Sequence, residues 1–231
     1  APAAAALVAE ALRASTARLR SYCELVSSSG AEAAARAGGS AAALESLHEG
    51  LDLLVRCAGH LVADEPEAGE SPEPPPELAS ASGAADGGGG AGSEQPTHPA
   101  ALLCDAVSDL LRLQVQALLV GEPSTSPLAA ALSPALGASL LWFLRRFACS
   151  YVMPDEGGYA ASSPALLALW GSDTPGAAAT LGLCIEASAV YLLHWPSELE
   201  LAASACSLLG SLARLRAPQR RPAAVLAALP G

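Results

Sequence analysis

At 231 residues with 52% hydrophobic side chains, mostly Ala and Leu, the chain can bury a sizeable core. It is poor in the Ile and aromatic residues that favour strands, so it reads as all-α. Its formal charge of −11 comes without the basic stripe that a nucleic-acid binder needs, and its longest unbroken apolar runs, 3–9 and 223–229, are too short to span a bilayer.

Leu7, Val8, Leu12, Leu19, Tyr22, Cys23 and Val26 recur at helical spacing, and the pattern breaks at Ser27-Ser28-Ser29-Gly30. A second helix is predicted from about Ser40, with Leu44, Leu47, Leu51, Leu54, Val55, Ala58, Leu61 and Val62 on one broad face. These helices make up a first region, residues 1–63. Residues 64–99 form an acidic insertion rich in Pro and Gly, with Pro74-Pro75-Pro76 and Gly87 to Gly90. No basic residue lies between Arg56 and Arg112, while Asp64, Glu65, Glu67, Glu70, Glu73, Glu77, Asp86 and Glu94 are all acidic. Without those eight, fifteen acids face twelve bases, so the rest of the chain is only mildly acidic. A segment of this composition buries too little apolar surface to offset chain entropy, and disorder is expected for most of it.

Helical patterning resumes for residues 100–231. Leu102, Leu103, Val107, Leu110, Leu111, Gln114, Ala117 and Leu118 lead to a stop near Gly121-Glu122-Pro123. The next helix starts near Pro134 and stops before Pro154, which has no amide hydrogen to extend the ladder. A shorter helix is expected from about Tyr159 to Trp170. Thr174 then serves as N-cap with Pro175 in the first turn, ahead of a helix carrying Leu181, Cys184, Ile185, Ser188, Tyr191 and Leu192. Ser197-Glu198-Leu199-Glu200 reads as a capping box for a helix containing Leu201, Ala205, Leu208, Leu209, Leu212 and Leu215. A last short helix is expected around Pro222 to Leu229. From residue 100 onward helix centres fall roughly twenty residues apart, so pairs repeat at about forty, the period of HEAT or armadillo arrays. Periodicity alone suits an α-solenoid of HEAT-like antiparallel helix pairs and a compact helical bundle equally. The chain starts and stops inside helical patterning, which reads as a piece of a longer protein.

Five of the nine aromatic residues fall between Trp142 and Tyr159. On a helical wheel, Leu140, Phe143, Leu144, Phe147 and Tyr151 share one face about 100° wide and are assigned to the core. Arg145 points away from that face. Trp142 and Arg146 lie off it and four residues apart, so the guanidinium can stack on the indole. Trp142, Arg145 and Arg146 are therefore the candidate partner-contact residues, the alternative being packing and a solvated face.

No catalytic or cofactor motif competes with this segment. The six cysteines are spread one per helix without close pairs, as small buried residues in a reducing compartment would be. Cys57-x-x-His60 is half of a zinc pattern, and His98 and Cys104 are too loosely placed to complete it. His48, His60, His98 and His194 accompany no nucleophile motif, and Gly87 to Gly90 has no P-loop lysine. The expectation is a non-enzymatic protein with no metal or cofactor.

Leu141-Trp142-Phe143-Leu144-Arg145-Arg146-Phe147, Ser150-Tyr151 and Asp155-Glu156-Gly157-Gly158-Tyr159 resemble the exportin family of the importin-β superfamily of nuclear transport receptors. Leu44-Glu45-Ser46-Leu47-His48, Ala58 to Asp64, Glu70-Ser71-Pro72, Pro74 to Glu77, Trp170 to Thr174 and Trp195 to Ala202 extend the resemblance, which covers most of residues 44–216. The Gly-rich run at 83–92 and the Ala-rich first helix depart from it. The resemblance implies an α-solenoid of HEAT repeats that binds protein cargo with Ran-GTP, meets nuclear pore proteins and shuttles between nucleus and cytoplasm. A helical-repeat scaffold without nucleotide dependence is the second reading.

Overall fold

The computed structural model describes residues 2–30, 41–64, 73–79, 98–120, 126–154, 162–171 and 173–214. Most of the acidic insertion, the start of the helix expected from Tyr159 and the one expected at Pro222–Leu229 lie outside the described residues. Among the described residues all regular structure is helical and there is no strand. The helices are α1 (Pro2–Ser29), α2 (Ala41–Val62), the single turn α3 (Pro76–Ala79), α4 (Pro99–Leu119), the single turn α5 (Pro127–Ala130), α6 (Pro134–Phe147), α7 (Pro164–Trp170), α8 (Pro175–His194) and α9 (Leu199–Ala213). A π-helical turn, Ala148–Val152, continues α6 and closes with Met153 N–H donating to the Ala148 carbonyl at 2.7 Å.

Short local signals start several of these helices. Ser126, Ser133, Ser163 and Thr174 each precede a proline, and each side-chain oxygen accepts the backbone N–H three residues on. Proline fits the first turn because its missing N–H has no intrahelical partner there, and its fixed φ is already helical. α1 stops at Gly30, whose φ of +79° is a conformation glycine adopts without Cβ strain.

One expectation needs correction, and one short stretch of the insertion is ordered. The helix after Trp195 begins at Leu199 with Glu198 as N-cap and no side-chain cap bond, so Ser197 does not open a capping box. Glu198 N–H closes a turn onto the Trp195 carbonyl at 3.2 Å, which leaves Ser197 inside the turn, one residue too early. Part of the insertion is also packed: Leu78 in α3 is buried, and His98 ties α3 to the start of α4. Its Nε2–H donates to the Leu78 carbonyl at 3.0 Å while its Nδ1 accepts the Ala100 N–H at 3.1 Å.

The helices fall into two sets. α6 lies between α2 and α9, and α4 packs on both α1 and α8. Asp52 meets Ser139 and Ala63 meets Arg146, so α2 and α6 run in the same direction. Gly137 approaches Leu201 and Arg145 reaches Ser211, so α9 runs with them. In the other set, Cys104 lies near Cys184 and Gln114 meets Tyr191, which makes α4 and α8 parallel. α1 also packs on α2, and α8 on α9, joining the sets.

One hydrophobic core runs through both. At its centre Phe147 stacks on Phe143 and Tyr151 and meets the edge of Trp170, with ring centroids 5.9, 4.9 and 4.8 Å apart. The stripe assigned from the wheel is buried throughout. α8 is long and apolar enough to cross a membrane by length and composition, although no unbroken apolar run marks it. Half of its apolar stretch is buried among neighbouring helices, and a helix apolar on most sides suits such a central position.

Candidate functional site

The α2–α6 seam is built from the end of one helix and the side chains of the other. The last carbonyls of a helix have no intrahelical partner, and α2 ends at Val62. Arg146 Nε–H donates to the Gly59 carbonyl at 3.2 Å, its Nη2 donates to the Ala63 carbonyl at 2.5 Å, and the Tyr151 hydroxyl donates to Val62 at 2.7 Å. Together these side chains cap α2 from outside, with a positive group at its negative end.

Trp142 completes this lock. The Arg146 guanidinium lies 4.9 Å from its ring centroid and His60 lies 5.3 Å away on the neighbouring helix. The indole crosses α2 where there is no side chain: a Cβ built on Gly59 would sit 2.2 Å from its Cζ3. Gly59 is therefore required by close approach, not by backbone conformation.

These contacts sort the three candidate residues. Arg146 is only 4% exposed, so the expectation that it offers a partner contact is corrected: its guanidinium binds the end of α2. Arg145 is half-buried and donates through Nε to Ser211 of α9 at 3.1 Å. Trp142 is half-buried and keeps an open side. That side faces a cleft of about 490 Å³ whose floor is Ala138, Ser139 and Trp142. One wall is Arg56 and His60 of α2; the other is Glu200, Ala203 and Ser204 of α9.

The cleft presents an aromatic floor between walls of opposite charge, a pattern suited to noncovalent recognition of a protein surface. Arg56 is steered by Asp52, whose carboxylate accepts its Nε–H at 2.9 Å and the Ser139 hydroxyl at 2.5 Å. Burial pushes the Cys104 thiol up to about 12 and raises that of Cys184, which keeps both protonated near neutral pH. Burial likewise raises the Tyr151 and Tyr191 phenols, and Tyr191 donates to Gln114 Oε1 at 2.5 Å. Among the described residues no group of three or more His, Cys, Asp or Glu side chains is placed to hold a metal ion.

No protein-family model matches the chain. Sequence reasoning found the Trp142–Arg146 pair but missed its partners Gly59, Val62 and Ala63, and the cleft walls Arg56 and Glu200. Gly59 did carry a signal, because an isolated glycine in a strong helical pattern points to a packing constraint.

Proposed function

We propose that this chain is a segment from the middle of an exportin-4-like nuclear export receptor, non-enzymatic, that binds protein cargo together with Ran-GTP. In this reading it forms an α-solenoid of HEAT-like antiparallel pairs, α1 with α2, α4 with α6 and α8 with α9. The receptor passes nuclear pore proteins and shuttles between nucleus and cytoplasm.

The observation that supports the solenoid best is the packing order. α6 is flanked by α2 and α9, and α4 by α1 and α8, so that each pair abuts the next. Such an array exposes one set of helix faces as a continuous surface that can wrap a partner. The Trp142 cleft lies on the α2–α6–α9 set and is the proposed protein contact. The sequence resemblance supports transport as the use of that surface.

The test is binding of GTP-locked and GDP-bound Ran to the immobilised receptor carrying this chain. Coupling of ordinary size predicts a preference for the GTP form of about tenfold or more. Absent binding in both states refutes the transport reading, and equal binding points to a static scaffold.

A further inference from the structure

A second trough, about 680 Å³, opens where the end of α1, the first half of α2 and the α5–α6 corner meet. Its floor is apolar, contributed by Tyr22, Leu44, Leu132, Pro134 and Leu136. Its rim is acidic. Glu45, Glu49 and Asp52 stand at i, i+4 and i+7 on one face of α2, spread over about 10 Å of helix.

The charged groups here are all carboxylates, which only accept. Asp52 is the carboxylate already engaged by Arg56 and Ser139. Among the described residues neither Glu45 nor Glu49 has an ion-pair partner, and no Arg lines the trough. The Ser133 hydroxyl already accepts the Leu136 N–H as a helix cap. His48 bonds the backbone at Ala131, and its Nε2 is without a hydrogen-bond partner. Burial lowers the pKa of that imidazole, which leaves it neutral at pH 7, so it adds no positive charge to the trough.

We propose that this trough docks a basic amphipathic segment of a partner protein, its Arg or Lys heads on Glu45 and Glu49 and its apolar side chains on the floor. The proposal rests on the protein-binding reading above and names the chemistry of one partner. Charge complementarity selects the occupant: an acidic rim repels phosphates and acidic peptides, and unpaired acceptors call for cationic donors. The apolar stems of Arg and Lys match the floor below the carboxylates, and the volume falls within the range of sites that enclose a few side chains.

The experiment uses the intact chain and a fluorescent helical peptide with alternating Arg and Leu faces, carrying a photoreactive group, beside its Glu-for-Arg analogue. The basic peptide should bind by anisotropy, the acidic one should not, and cross-links should map to residues 41–52 and 130–136. The pair E45Q/E49Q should weaken binding by about fivefold at low ionic strength, while E10Q/E186Q, the same charge change on exposed faces elsewhere, should not. Circular dichroism checks that each pair is folded. Cross-links on the acidic residues 64–94, equal weakening by the control pair, or unchanged affinity of E45Q/E49Q overturns the proposal. Ran dependence is read separately, so a GTP-selective receptor with an unused trough fails only this proposal, and a nucleotide-indifferent one with trough cross-links fails only the transport reading.

Discussion

Replacing Gly59 by Ala should destabilise the protein, although in an exposed helix interior the same change stabilises by about 1 kcal/mol. The added Cβ would lie 2.2 Å from Trp142 Cζ3 and 2.7 Å from Cη2. The indole cannot swing aside cheaply, because Arg146 and His60 hold it on α6 and α2. Overpacking of this kind costs about 1–3 kcal/mol. If α6 backs away instead, the Arg146 bonds to Gly59 and Ala63 lengthen, and charge-assisted bonds of this type contribute about 1.5–3 kcal/mol. After the propensity gain is subtracted, a net loss of up to about 2 kcal/mol remains. Urea unfolding followed by far-UV circular dichroism should show a lower midpoint with an unchanged slope. The decisive comparison is with W142A, in which the obstruction is gone and G59A should become stabilising by up to about 1 kcal/mol. Additive behaviour, or stabilisation by G59A in both backgrounds, would refute the close-approach argument.

Arg146→Lys replaces a planar fork that reaches two carbonyls with one point charge, so thermal melts should show a loss of about 1–3 kcal/mol; an unchanged melting temperature contradicts the capping role. Burial raises the Tyr151 and Tyr191 phenols above the usual 10.0 and takes the Cys104 thiol from 9.0 to about 12. Because the folded values are raised, their contribution is fully present below about pH 9 and is lost as pH rises towards the folded values, when only the unfolded chain ionises freely. Stability from urea midpoints should therefore be nearly level up to that pH and fall beyond it, with the two tyrosines ionising only on unfolding by ultraviolet absorbance. A thiol reagent should label exposed Cys57 and Cys206 in the native protein, and Cys104 and Cys184 only after denaturation. His98→Ala removes the cap of α4 and the donor to Leu78, at a cost of about 1–3 kcal/mol, and hydrogen exchange should quicken at Leu78, Ala79 and Ala101 more than in α8.

Much of the local structure was legible from the chain. Thr174-Pro175 starts α8, Gly30 ends α1, and the stripe Leu140, Phe143, Leu144, Phe147 and Tyr151 is buried as the wheel assigned it. The failures share a cause. Ser197 has the residue type of a cap, but the turn after Trp195 decides which amide is left free. Leu78 sits in a segment whose composition resists folding alone, yet His98, twenty residues away, holds it. The π turn Ala148–Val152 also has no mark in the apolar spacing that reads as one continuous helix.

The sequence alone determined the longer helices among the described residues, because caps, prolines and apolar spacing act within one or two turns. It also brought Trp142 and Arg146 onto adjacent turns of one helix. What those side chains do was decided only by tertiary structure. Arg146 looked like a surface cation until α2 arrived with its terminal carbonyls, residues 83 and 87 positions away in the chain. A buried charge persists only when such partners surround it, and no local pattern encodes which helix end will supply them. The open side of Trp142 is likewise a property of the assembled fold, set by Gly59 beneath the indole and by the gap between α2 and α9.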